Sequence, residues 1–210
     1  CDWSSDVCSS DLSLELRDAS LGIAHALFRL MGQQARVAAI GVAVAQSLGE
    51  FLAQAGWQHA YGRNRVHHYG HYGNAILSRF PIVSSENADI SSHRFERRGL
   101  LHCVIEVPGW RRNLHCVCVH LSLHERGRRR QIEAIVERLA PIVARGMPVV
   151  VAGDFNDWRQ RVTRVLGGRL GLEEVTGVYG RRPARTFPSI FPFLRLDRIY
   201  VRGFSVVEAS

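Results

Sequence analysis

Apolar residues fall into short blocks set apart by Gly, Pro and charged stretches, and the spacing inside each block predicts its element. Pro148-Val149-Val150-Val151-Ala152-Gly153 is a β-branched run between two breakers, the pattern of a short strand buried on both faces. Residues 100–107 and 114–121 are two more apolar runs, joined by a loop holding Pro108 and Gly109, and predict an antiparallel hairpin. Residues 73–82 predict a strand that opens on a polar side chain, Asn74. Residues 194–201 alternate well enough for a strand and carry Asp197 between Leu196 and Ile199, an acid that needs a partner if it is buried.

Helical spacing appears in three places. Val44, Leu48, Phe51, Leu52 and Ala55 recur on one face before Gly56 supplies a stop. Over 125–146, Ile132, Ile135, Val136, Leu139, Ile142 and Val143 share one face, and Arg128, Arg129, Arg130, Glu133, Glu137 and Arg138 are assigned largely to the solvated one. Pro141 is expected to kink or shorten that helix. Val162, Val165 and Leu166 predict a short third one. Residues 13–41 are broken by Gly22, Gly32 and Gly41, although Leu14 to Asp18 can open a helix. Residues 60–72, rich in Gly, His and aromatics, predict a long loop; His67, His68 and His71 there are read as solvated rather than as a metal site.

With 210 residues, 46% hydrophobic and 22% charged, the chain suits one ordinary globular core. Residues 1–12, CDWSSDVCSSDL, match neither the Arg-rich composition nor the periodicity that follows and are set aside as a non-native leader, leaving one domain over 13–210. No apolar run approaches the ~18 residues of a spanning helix. The net charge is +8, and the basic side chains are all Arg. A guanidinium fork matches phosphate oxygens, so this excess suits nucleic acid or another polyanion, although a GC-rich genome gives the same Arg usage. Cys103, Cys116 and Cys118 lie in predicted core strands, where reduced thiols act as small hydrophobes, so a cytoplasmic monomer is expected.

Polar side chains with chemical potential gather where strands end. Asp154 and Asn156 stand two apart just beyond Gly153, on one side of an extended chain, with Asp157 beside them. Such a pair can orient water and bind a phosphoryl oxygen or a hard cation, or it can simply close a turn on its own backbone. His120 ends the run at 114–121, and Arg98 precedes the run at 100–107.

Taken in order, Gly73-Asn74-Ala75-Ile76-Leu77-Ser78-Arg79, Arg98-Gly99, Val119-His120-Leu121, Arg130-Gln131, Gly153-Asp154-Phe155-Asn156, Thr186-Phe187 and Leu196-Asp197-Arg198-Ile199 resemble the endonuclease/exonuclease/phosphatase superfamily, the deoxyribonuclease I-like fold. Tyr61-Gly62-Arg63-Asn64, Asp157-Trp158-Arg159 and Arg182 to Pro188 look like a bacterial group within it. The resemblance implies an α/β fold, a four-layer αββα sandwich incomplete here at both ends, with phosphodiesterase or endonuclease activity dependent on Mg²⁺ or Mn²⁺. It implies that His120 binds the scissile phosphate, Asp154 orients the attacking water, and Asn156 holds a phosphate oxygen. Asn74 would support His120, Arg98 and Thr186 would contact phosphate, and Asp197 would orient a general-base His. Asp154 and Asn156 would also be the metal ligands.

Two departures from the superfamily pattern stand out. Members carry a metal-binding Glu where this chain has Arg29, in a Gly-broken stretch that fits a shifted reading frame; the closing Ser-Asp-His motif is expected beyond Ser210. The expected activity is therefore that of a longer parent, with this fragment nearly inactive. A phosphate-binding module without turnover, and a phosphatase or phospholipid phosphodiesterase of the same fold, are the competing expectations.

Overall fold

The computed structural model describes residues 24–30, 36–41, 56–67, 70–175, 196–203 and 206–208. Its strands are β1 (Ala24–Leu30), β2 (Arg36–Gly41), β3 (Gln58–His67), β4 (Gly70–Ser78), β5 (Ile82–Asp89), β6 (Gly99–Ile105), β7 (Leu114–His120), β8 (Val149–Asp154), β9 (Glu173–Glu174), β10 (Asp197–Arg202) and β11 (Val206–Glu208). Two helices, α1 (Glu125–Ala144) and α2 (Arg161–Leu170), follow β7 and β8. The strands form a five-stranded sheet, β11-β1-β2-β4-β3, and a six-stranded sheet, β5-β6-β7-β8-β10-β9. The fold is mixed α/β.

Alternation along the strands of the six-stranded sheet builds two cores. Leu101, Cys103 and Ile105 of β6, Cys116 and Cys118 of β7, and Val150 and Ala152 of β8 join Ala60 and Ile76 of the other sheet in one buried cluster. Leu100, Val117, Val119, Val149 and Val151 join Ile132, Ile135 and Leu139 of α1 and Val162, Leu166 and Leu170 of α2 in the other. Among the described residues, helices, sheet and sheet thus stack as three layers, because a strand of period two offers apolar side chains to both neighbours. The helix expected over Val44 to Ala55 and the loop carrying Arg185 to Pro188 lie outside the described residues, as does the 1–12 leader. All three core thiols are free and buried.

Several expectations are corrected. The loop expected over residues 60–72 is a hairpin, with β3 and β4 paired antiparallel from Gln58–Ser78 to His67–Gly70. Its glycines are the cost of close approach: a Cβ on Gly62 would overlap Asn87 of β5, and one on Gly73 would overlap the Gly62 carbonyl. The strand expected over 73–82 stops at Ser78, and β5 begins at Ile82 as a polar edge strand that an apolar pattern does not mark. The muddled residues 24–41 hold the antiparallel pair β1–β2. Helix α1 continues through Pro141 to Ala144. Arg128, assigned to its solvated face, is 4% exposed.

Candidate active site

The arrangement of β7, β8 and β10 brings the strand-end residues together. Helix α1 is the crossover between β7 and β8, which makes them parallel, so both end at one edge of the sheet. His120 and Asp154 are register partners there. Strand β10 runs antiparallel to β8 and starts where β8 ends, so Asp197 is the register partner of Asp154 on its other side. His120, Asp154 and Asp197 thus occupy three neighbouring strands at one edge, with His120 Nε2 3.6 Å from Asp154 Oδ2.

The turn after β8 is shaped by its own side chains. Gly153 has φ 141, and a Cβ there would overlap the Val119 carbonyl oxygen, so β7 and β8 approach as they do only around glycine. Asn156 has φ 48; its backbone N–H donates to Asp154 Oδ1 at 2.8 Å, and its Nδ2 donates to Leu121 O at 2.9 Å. Asp154-Phe155-Asn156 is therefore a turn closed on its own carboxylate and also a clamp onto the residue after His120. Asp157, buried, accepts the Val162 N–H at 2.7 Å and caps the start of α2. Buried Arg198 donates to the Asp157 carbonyl and, at 2.7 Å, to Thr163 Oγ1.

Asn74 enters from the facing sheet. Fully buried, it donates from Nδ2 to Gly99 O at 2.8 Å and to Cys118 O at 3.1 Å. It therefore holds the backbone beside Arg98 and the strand that ends in His120. Its Oδ1 is buried with no hydrogen-bond partner among the described residues.

Arg98 lies in the turn before β6, with Nη2 3.1 Å from Glu96 Oε1. The other Glu96 oxygen accepts the Ser122 hydroxyl at 2.5 Å. Glu96 and Ser122 are thus parts of the site that the sequence reading left out. The signal was available: Glu96 stands two before Arg98 and Ser122 two after His120, the spacing that singled out Asp154 and Asn156.

Burial pushes the His120 imidazole down to about 3, and the Arg98 charge adds to this while Glu96 opposes it. Burial also raises Asp154, moderated by the Asn156 N–H and by Arg98. In neutral solution His120 is uncharged, so it meets an anion as a hydrogen-bond donor and Arg98 supplies the positive charge.

A magnesium ion prefers near-octahedral oxygen donors and is usually held by one or two carboxylates together with substrate phosphates. Among the described residues no group of three or more His, Cys, Asp or Glu side chains could hold a metal ion. Asp154 gives one oxygen to the Asn156 N–H and turns the other to His120. Asp154 and Asn156, the expected ligands, offer a carboxylate and an amide oxygen at the end of β8. Arg29 lies on β1 as the register partner of Arg36, and Thr186 lies outside the described residues.

The chain is 50% identical over 158 residues to the uncharacterized protein YbhP of Escherichia coli (strain K12), a match covering 74% of this chain and 62% of that protein. The chain thus spans about 62% of the length of the curated relatives it matches. Among solved structures, the mannosyl-6-phosphatase Bt3783 of Bacteroides thetaiotaomicron VPI-5482 superposes with a TM-score of 0.60 at 12% identity, over 91% of this chain and 74% of that one. D. rerio TDP2 complexed with a single-strand DNA product superposes with a TM-score of 0.58 at 18% identity, over 91% of this chain and 75% of that one. At these identities the two structures show a shared fold. Residues 31–210 match the Endonuclease/Exonuclease/phosphatase family, and the chain belongs to it.

Proposed function

We propose that the protein of which this chain is part hydrolyses phosphate esters, with nucleic-acid phosphodiesters first among its substrates. The observation that carries this reading is the juxtaposition of His120 and Asp154 at 3.6 Å, beside the Arg98 guanidinium, at the edge where β7 and β8 end. Arg98 and the His120 imidazole bind the phosphoryl oxygens, and Asn156 adds its second Nδ2 hydrogen, the first being held by Leu121 O. Asp154 orients the attacking water, and its raised proton affinity makes it a better acceptor of the water's proton. Asp197, in register with Asp154, orients a further proton-transfer group. Thr186 is a further phosphate contact.

Family membership and the +8 net charge support this reading. One superposed relative holds a DNA product and another is a sugar phosphatase, so the fold alone leaves the ester class open. Mg²⁺ or Mn²⁺ is the cofactor in this reading, with Asp154 and Asn156 as its ligands. The three free, buried thiols support a reducing, cytoplasmic setting, and a monomer is the proposed state. Among the described residues no helix is long and apolar enough to cross a membrane.

A second reading for the 210-residue chain itself is phosphate binding without turnover, since Arg29 stands where the superfamily pattern has a metal-binding Glu. Plasmid DNA and a generic phosphodiester, each with Mg²⁺, are to be assayed with this chain and with a protein extended to its relatives' length. The extended protein should turn over, its Asp154→Asn variant should lose about 10²- to 10⁴-fold, and the short chain should be comparably slow. Phosphate binding with no turnover by either form would establish the binding module instead.

A further inference from the structure

Arg128 is a buried cation that the proposed chemistry leaves unused. It is 4% exposed, yet it forms no ion pair among the described residues. Its Nη1 donates to Ser122 O and Leu123 O, both at 3.0 Å, and its guanidinium carbon lies 5.4 Å from the centre of the Trp158 ring. Two carbonyls and a ring face satisfy directions in space and leave the unit charge uncancelled. Glu125, three residues back on α1, is engaged elsewhere, 3.8 Å from Arg159 and paired with Arg161.

The place matters as much as the charge. Ser122 and Leu123 follow His120 on the loop leaving β7, and Trp158 follows Asn156 on the loop leaving β8. Arg128 thus spans the two loops that carry the phosphate-facing groups. Here α1 also begins, and its N-cap, His124, makes no side-chain cap hydrogen bond, which leaves first-turn N–H groups oriented to favour an anion. Trp158 remains 49% exposed, a flat ring beside the cation.

We propose that Arg128, backed by Trp158, forms a second anion subsite beside the His120–Asp154 pair, which takes the neighbouring phosphate of a nucleotide chain. The inference rests on the hydrolytic reading and narrows its substrate from any phosphate ester to one with a second phosphate one nucleoside away. The exposed indole suits the intervening base, since ring stacking tolerates any base.

The test is calorimetric titration of the 210-residue chain, without metal, with thymidine 5′-monophosphate and thymidine 3′,5′-bisphosphate. The bisphosphate should bind about tenfold tighter, the gain of one charge-assisted contact. Arg128→Met should erase that preference and leave monophosphate affinity unchanged, whereas Arg98→Met should weaken both ligands. If Arg128→Met does not fold, Arg128→Lys decides: it keeps the charge and loses the fork, and must lose most of the preference at unchanged monophosphate affinity. Equal binding of the two ligands by the unaltered chain, or an Arg128 variant that weakens both alike, would overturn the subsite and leave the hydrolytic reading standing. Binding of neither ligand would overturn both.

Discussion

His120 and Asp154 face each other across the parallel β7–β8 pair as register partners, with Nε2 and Oδ2 3.6 Å apart. The 33 residues between them form one crossover through α1, so the imidazole and the carboxylate meet only when that helix packs on the sheet. Burial lowers the proton affinity of the imidazole and raises that of the carboxylate, so that both lean towards their neutral forms.

Gly153→Ala should be among the most damaging single changes. A Cβ there overlaps the Val119 carbonyl oxygen, and φ 141 is closed to other residues. The expected loss is about 3 kcal/mol or more, seen as insolubility or a lowered urea midpoint. A variant with an unchanged midpoint would contradict the close β7–β8 approach.

Asn74→Ala leaves the Gly99 and Cys118 carbonyls without their shared donor in a buried position. A cost of about 2–4 kcal/mol is expected in urea unfolding. The phosphate affinity of the folded fraction should fall too, because Arg98 and His120 both flank those carbonyls.

The His102–His115 pair should make stability depend on pH. The ring nitrogens are 2.9 Å apart; burial first, then the His115 and Arg138 charges, push His102 down to about 4, while Glu86 opposes. An unfolded His binds its proton near 6.5, so between pH 6.5 and about 4 the unfolded chain holds more protons than the folded one. Stability from this group is complete above pH 6.5 and drains as pH falls towards 4. Urea unfolding from pH 7 to pH 4 should show this slope, and His102→Gln should make it shallower, the remainder coming from His120 and His115, whose proton affinities burial also lowers; an unchanged slope in the variant would sink the assignment.

Arg198→Met should unsettle the loop that carries Asn156. Arg198 holds the Asp157 carbonyl and lies 3.6 Å from Glu174, whose carboxylate also accepts the Thr163 hydroxyl, so its removal takes away one charge partner and one loop contact at once. A loss of about 1.5–3 kcal/mol is expected by thermal or urea unfolding. A change under ~1 kcal/mol would show that Asp157 is held chiefly by its cap on α2.

Much of the site was legible in the chain because strand periodicity and strand ends are local. The apolar runs that became β6, β7, β8 and β10, and the helical spacing of α1 and α2, follow from which side chains each turn or pleat must bury. Asp154, Asn156, His120 and Arg98 stood out as polar groups at the limits of those runs. The β3–β4 hairpin did not, because its glycines and histidines carry the composition of a loop and their reason lies in Asn87 on the other sheet. Edge strand β5 is polar from Ser84 to Asn87 and had little apolar alternation to find.

By itself, then, the sequence determined β6, β7, β8 and β10 of the six-stranded sheet, their buried faces and the polar residues at their ends. Tertiary structure decided who meets whom. The parallel direction of β7 and β8, the register of Asp197 with Asp154, the reach of Asn74 across two sheets and the burial of Arg128 between two loops all depend on residues far apart in the chain. The pattern at one position records only whether its own side chain leaves water. It does not record which strand or loop lies on the other side, because that choice is made by the packing of the whole core.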